Sequence, residues 1–426
     1  VTAPERWTLS ARYAFPVEGE PIAEALVALE AGRIAEIGPA RGRTADLALG
    51  NVAVAPGFVN AHTHLELGRL EGADESATED EIAWLGRVIA QRRDTPEATM
   101  LANVRDNLAA SIAAGTTLLG DITTAGRSWE VLADAPLRSV VFTELIGLRR
   151  ERAMEVSLRA FEWLARATRG AEPESRARAG LSPHAPYSTA LWLFERAASA
   201  RVPLATHLAE MPEELELLSS RSGRLRTFLE ELGAWSEDWQ PTGERPSSYL
   251  RRGPARRADW IVGHGTYLTA EDFWMMRPRT PASPRIAIAY CPRTTARFGH
   301  GPHPYRAMLA SGAIVCLGTD SLASAPSLSI LDEMRWLARS DDGLGGSDLL
   351  TMGTLYGAWA LRAERRRGSL KPNKQADLAV VALPDRDETD PHRLILDSDL
   401  PVVATMCGGQ FVHGPWEGPC ICDRSL

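Results

Sequence analysis

Hydrophobic and polar residues alternate at both ends of this chain, whereas its middle carries short unbroken apolar blocks. In "WTLSARYAFPV" and "EALVALEAGRIAEIG" the alternation, punctuated by Gly and Pro, predicts antiparallel strands over the first ~50 residues. "ADLAVVALP" and "PVVATMCGGQFVHG" predict the same over the last ~55. Two β-rich ends flanking a different middle predict one small composite β-sandwich domain, residues 1–55 with 366–426.

Between them, residues 56–365 repeat another plan. Apolar blocks of strand length end in polar residues, and helical stretches follow. "SVVFTELIG" precedes the amphipathic "ERAMEVSLRAFEWLARAT", "ARAGLSPHAPY" precedes "STALWLFERAASA", and "VPLATHLAE" precedes "PEELELLSSR". About eight such units predict an α/β chain closed as a (β/α)8 TIM-type barrel. A doubly wound parallel sheet would give similar units, but no GxGxxG follows the first strand to favour a dinucleotide fold. Residues 218–258, rich in Arg, Pro and Gly, interrupt the plan. They predict a surface loop with a short helix, or alternatively a lid or subunit contact.

Composition narrows the class. At 426 residues the chain is too long for one ordinary core, which suits a large barrel plus a smaller domain. The net charge of -8 disfavours nucleic acid and anionic membrane surfaces as partners, and no apolar run approaches a membrane span. The five cysteines (Cys291, Cys316, Cys407, Cys420, Cys422) are scattered and odd in number. That argues against a disulfide framework and for a reducing, cytoplasmic location. Cys420 and Cys422 read as tail thiols rather than a metal pair. The first residues lack a signal-peptide pattern and an initiator Met, so a few residues are expected to be missing.

The chemistry lies at the predicted strand ends, where barrels of this kind place their active sites. His62 and His64 stand in "FVNAHTHLEL", His184 in "SPHAPY", His207 in "THLAE", His264 in "VGHGTY" and Asp320 in "LGTDS". Five of the nine histidines thus fall at such ends, a concentration that chance does not readily supply. The alternate spacing of His62 and His64 puts both rings on one face of a strand. Neutral imidazoles with a carboxylate suit Zn or Fe(II). Lysine occurs only at Lys371 and Lys374, beyond the barrel, so no carboxylated lysine can bridge two metals there. His62, His64, His207 and Asp320 supply enough ligands for one divalent metal and leave room for a water. Such a metal lowers the pKa of its water to about 7.

Glu210 follows His207 by one tight turn. A carboxylate there could relay a proton from water to a substrate nitrogen. The blander reading is a helix N-terminal charge, and proximity to His207 favours the relay. His264 is the candidate for orienting or deprotonating the water, against the alternative of a buried imidazole bonded to carbonyls. His184 is a candidate substrate contact. His300 and His303 read as loop residues, and His392 and His413 as structural ones.

Together these segments resemble the amidohydrolase superfamily in its mononuclear aminohydrolase branch. "PGFVNAHTHLEL", "SPHAPYS", "THLAE", "VGHGTYL", "CPRTTARFGHGPHP" and "LGTDS" are similar, in order, to that branch's motif series, and the terminal "GSLKPNKQADLAVV" resembles its composite β domain. The resemblance spans essentially the whole chain. It implies one metal, usually zinc with Fe2+ as the alternative, on His62, His64, His207 and Asp320. It implies Glu210 as proton shuttle, His264 as water-positioning residue and Asp320 as a second proton acceptor. The implied reaction is hydrolytic deamination of a small heterocyclic substrate, and branch members often form homodimers.

Resemblance to adenosine, S-adenosylhomocysteine and aminodeoxyfutalosine deaminases implies an adenine nucleoside, 6-aminodeoxyfutalosine first. It places Glu66 near the substrate's sugar. An acidic substrate would need a cation, for which Arg149 and Arg69 are candidates. The alternatives are a triazine chlorohydrolase, a pterin, guanine or cytosine deaminase, an amide-cleaving relative, or a barrel that binds without turnover.

Overall fold

The computed structural model describes residues 6–72, 78–169, 175–241, 245–278, 280, 283–341 and 343–416. Cys420 and Cys422 lie outside them. Among the described residues, eight strands from both chain ends form a single sheet. Val52–Pro56 lies inside it, antiparallel to Leu378–Ala382 on one side and parallel to Arg6–Ala14 on the other. The chain's two ends therefore meet through one short strand. Alternating residues of Arg6–Ala14 turn inward, and Trp7, Leu9, Val27, Ile34, Val54, Leu378 and Met406 share a separate apolar core.

The second sheet holds eight parallel strands in chain order: Phe58–Thr63, Thr116–Thr123, Arg138–Leu145, Ala177–Pro183, Leu204–Leu208, Trp260–His264, Ile286–Tyr290 and Ile314–Leu317. These strands are buried almost throughout, which explains their unbroken apolar blocks. The strand that ends in the terminal sheet at Pro56 and the strand that opens the barrel at Phe58 are separated only by Gly57. A Cβ at Gly57 would stand 2.1 Å from the Thr117 hydroxyl, so the joint admits no side chain.

The barrel closes where the eighth strand meets the first. Thr63 and Asp320 form a parallel bridge. The His64 N–H donates to the Asp320 carbonyl at 3.1 Å, and the Thr319 and Asp320 N–H groups both donate to the His62 carbonyl at 3.1 Å. The closing seam thus runs through three candidate metal ligands.

Residues 218–258 carry the short helix expected of them, but pack on the barrel more closely than a surface loop. They contain the helix Arg224–Glu231 and two 3-10 turns, Pro246–Arg251 and Gly253–Arg257. Tyr249 is fully buried and packs edge-on against Phe194, with ring centroids 5.1 Å apart. Enough apolar residues sit among the Arg and Pro to build a second shell on the barrel. No described helix is long and apolar enough to cross a membrane.

Candidate active site

The strand ends bring His62, His64, His207, His264 and Asp320 together. Nε2 of His64 lies 3.2 Å from Nε2 of His207. The Asp320 Oδ1 is 3.5 Å from His64 Nε2 and 3.9 Å from His62 Nε2. His62 is buried, and neither of its ring nitrogens has a hydrogen-bond partner. Burial holds all four imidazoles below their ordinary pKa, His207 at about 4, so they stand neutral with lone pairs to give. The Nδ1 of His207 meets the His184 carbonyl at 3.0 Å. Donation there leaves Nε2 as the free lone pair, the usual support for a metal-ligating histidine.

Two opposed lone pairs, an orphaned buried imidazole and a carboxylate in one cluster are costly without a cation. Donor atoms come together as His62, His64 and His207 and as His62, His264 and Asp320, and their chemistry fits a divalent ion. Backbone strain collects at the same place. His264 (φ 64°), Asp320 (φ 56°) and Ala209 (φ 52°) all occupy the left-handed region, where a side chain is disfavoured.

Glu210 turns back over this cluster. Its Oε1 is 3.0 Å from Nε2 of His264. Burial, with Glu81 and Asp320 nearby, pushes the Glu210 carboxyl well above its usual range. His303 donates from Nε2 to the His264 carbonyl at 2.8 Å, and His300 meets Glu81 at 2.8 Å and the Tyr267 hydroxyl at 3.1 Å. Both residues, expected in a loop, buttress the site.

These groups line the floor of a cavity of roughly 330 Å³, within the range of small-molecule pockets. Its upper walls are apolar. Trp84, Leu85 and Val88 come from the helix Glu81–Asp94, and Phe228, Leu229 and Leu232 come from the 218–258 segment. Arg149 and Arg152 stand on its rim. Arg69 does not; it lines a separate cleft and donates to the Pro326 carbonyl at 2.6 Å.

His184 lines the cavity with its Nδ1 2.6 Å from the Ser188 hydroxyl. Glu66 does not, against the expectation that it meets the substrate's sugar. The turn after His64 carries it inward, where Arg92 (2.6 Å), Arg127 (2.9 Å), Thr123 (3.0 Å) and Thr124 (2.6 Å) donate to its two oxygens. Two cations and two hydroxyls satisfy it inside the protein. Besides Glu210 and Asp320, the carboxylates that face the cavity are Glu81 and Glu144, neither singled out from sequence. Glu81 looks like an ordinary acid in a helix's first turn, following the N-cap Asp80. Glu144 was accessible to the strand-end rule that found His184, since it stands in "FTELIG" at the end of the third barrel strand.

Barrel, seam and donor set define the class: a metal-binding (β/α)8 hydrolase. The chain belongs to the amidohydrolase family, whose model matches residues 53–412. It is 28% identical over 404 residues to a 5-methylthioadenosine/S-adenosylhomocysteine deaminase of Moorella thermoacetica, covering 88% of this chain and 84% of that protein. The Pyrococcus furiosus deaminase of the same description is also 28% identical, over 393 residues, covering 87% of this chain and 84% of that one. Among solved structures, the aminofutalosine deaminase of Helicobacter pylori superposes with a TM-score of 0.79 at 22% identity, covering 96% of this chain and all of that one. An atrazine chlorohydrolase from Arthrobacter aurescens, complexed with zinc, gives 0.77 at 20% identity, covering 96% of each chain. These last two likenesses establish shared fold.

Proposed function

We propose that this protein hydrolyses the 6-amino group from an adenine nucleoside whose 5′ end carries an apolar or aromatic group, with 6-aminodeoxyfutalosine the first candidate. The observation that carries this reading is Glu210, 3.0 Å from His264 and beside the metal-donor cluster, at the base of an apolar cavity. A divalent ion, which His62, His64, His207 and Asp320 would hold, would supply water acidified to near-neutral pKa. His264 orients that water through its neutral imidazole. Asp320 accepts a proton from it. Glu210 would deliver one of the water's two protons to the ring nitrogen beside the amino-bearing carbon, which makes that carbon electrophilic; the other, lost as the new hydroxyl becomes the carbonyl, would pass through the Asp320 and Glu210 carboxyls to the amine, which departs as ammonia. Glu81 and His184 face the space beside the ring and have the polarity to hold sugar hydroxyls. Trp84, Phe228 and Leu232 fit an aryl group, and Arg149 and Arg152 fit a carboxylate at its far end. The similarity to curated adenosine-type deaminases supports the same reading.

The test is an ammonia-release screen of zinc-loaded protein. The panel holds 6-aminodeoxyfutalosine, 5′-methylthioadenosine, S-adenosylhomocysteine, adenosine, guanine, pterins, cytosine and chlorotriazines. The highest kcat/KM is expected for an adenine nucleoside with an apolar 5′ group. Halide from a chlorotriazine without ammonia from any nucleoside would overturn the proposal.

A further inference from the structure

The loop 298–304, between the helices Pro292–Arg297 and Tyr305–Ala310, carries His300 and His303. It holds the turn after the sixth barrel strand at two points. His303 donates from Nε2 to the His264 carbonyl at 2.8 Å, and His300 Nδ1 meets the Tyr267 hydroxyl at 3.1 Å. The turn needs such support. His264 and Gly265 stand in succession in the left-handed region, at φ 64° and 72°. Glycine tolerates that conformation, whereas histidine adopts it only where its surroundings impose it.

The imposing contacts can be named. The Gly265 N–H donates to the Leu208 carbonyl at 3.0 Å, and the Tyr267 N–H to the Ala209 carbonyl at 2.9 Å, which ties the turn to the end of the fifth strand. His303 reaches the backbone of His264 itself. Its ring is 6% exposed and stacks on Tyr290, the last residue of the seventh strand, with centroids 3.9 Å and planes 19° apart. A carbonyl only accepts, so the proton of the neutral ring sits on Nε2. Nδ1 is then a lone pair, buried with no partner among the described residues. Burial also lowers the ring's pKa to about 4, so it stays uncharged. A phenylalanine would fill the same space with no orphaned nitrogen, so packing alone does not account for a histidine here.

We infer that His303 is a positioning residue: its Nε2–H holds the backbone of His264 in the left-handed conformation that aims the His264 imidazole at Glu210 and the attacking water. This rests on the reading of His264 as the group that orients the water. Nε2 of His264 stands 3.0 Å from Glu210 Oε1. A ring tip lies ~4.5 Å from its own Cα, so a backbone rotation of ~15° displaces it by about 1 Å, a misplacement that can cost about 100-fold in rate. His303 lines neither the cavity nor a cluster of metal donors, so KM and metal content are expected to be independent of it.

Two variants separate this role from packing. His303→Phe keeps a flat ring against Tyr290 and removes the donor. His303→Gln loses the ring but can set an amide N–H where Nε2 stood. Steady-state kinetics, with metal quantified on the same samples, are expected to show kcat lowered roughly 10- to 100-fold in His303→Phe at unchanged KM, and within about threefold of wild type in His303→Gln. A packing role gives the opposite order. Any substrate of the panel that turns over serves, since His264 acts on the water and not on the leaving group. Crystal structures of both variants give a readout that needs no turnover. His264 is expected to keep its left-handed φ in His303→Gln and to leave it in His303→Phe. Circular dichroism confirms each fold, and if His303→Phe does not fold, His303→Leu is the donor-free variant. A folded, metal-loaded His303→Phe with near wild-type kcat overturns the inference, and so does an unmoved His264 in its crystal structure. Wild-type protein that releases ammonia from no nucleoside overturns the proposed function instead, and the crystal structures then still decide the role of His303.

Discussion

Replacing Glu210 by Gln removes the side chain's ability to take up and release a proton, and almost nothing else. The side chain keeps its length and can still hydrogen-bond His264 Nε2, now 3.0 Å from Oε1. Glu210 is absent from the clusters of metal donors, so metal content is expected to stay at the wild-type level. The cavity walls are untouched, so KM is expected to change little. What is lost is proton delivery to the ring nitrogen and the leaving amine. A positioned acid–base group contributes roughly 10²–10⁴ in rate, about 3–5 kcal/mol of transition-state stabilisation. The expected result is a fall in kcat of that size at nearly constant KM. Fold stability is expected to hold or rise, because Glu81 and Glu214 no longer face a third buried carboxyl. The assay is steady-state ammonia release with metal quantified on the same sample. Turnover within tenfold of wild type, in a variant with full metal, would refute the role. A loss of metal would move Glu210 into the binding site for the ion.

Three further outcomes follow from the same geometry. Phe228→Ala opens the wall built by the 218–258 segment; losing a large apolar contact is worth about 1.5–3 kcal/mol, so KM for a 5′-substituted nucleoside is expected to rise some 10- to 100-fold while that for plain adenosine changes little. Dialysis against a chelator is expected to abolish ammonia release and lower the Tm, because ions that bind only the folded chain stabilise it; reconstitution with Zn2+ or Fe2+ in parallel then identifies the more active ion. Asp121 is buried, and desolvation pushes its carboxyl up to about 7, despite hydrogen bonds from the Leu65 N–H and the Ser128 hydroxyl. Its folded pKa lies above its unfolded one, so its contribution is fully present below about pH 4 and lost as pH rises to 7, about 4 kcal/mol in all. Asp121→Asn is expected to flatten that part of the denaturation profile; an unchanged slope between pH 4 and 7 would contradict it.

The barrel was readable because buried parallel strands print continuous apolar blocks, each ending in a residue too polar to be core. The same signal located His62, His64, His184, His207, His264 and Asp320. It failed where side-chain direction depends on a turn. Glu66 stands two residues beyond His64, yet the turn gives it to Arg92 and Arg127. Alternation cannot foresee that, because a strand's period of two ends with the strand. Glu81 was hidden for the opposite reason: it reaches the cavity from a helix start distant in sequence, and its identity matches what any helix start prefers. In the 218–258 segment the expected short helix is present, but the Arg and Pro content hid how closely the segment packs. Tyr249, Phe228 and Leu229, spread thinly through it, supply its packing.

The short strand Val52–Pro56 has a consequence for how the protein is made. It is held on one side by Arg6–Ala14, which precedes it in the chain, and on the other by Leu378–Ala382, which follows the whole barrel. One glycine later the same backbone becomes the strand bearing His62 and His64, and that strand closes the barrel against Asp320. A growing chain on the ribosome therefore carries His62 and His64 long before Asp320, against which their strand closes, has emerged. A product terminated ahead of Asp320 lacks that seam, and nothing then holds the two histidines in place.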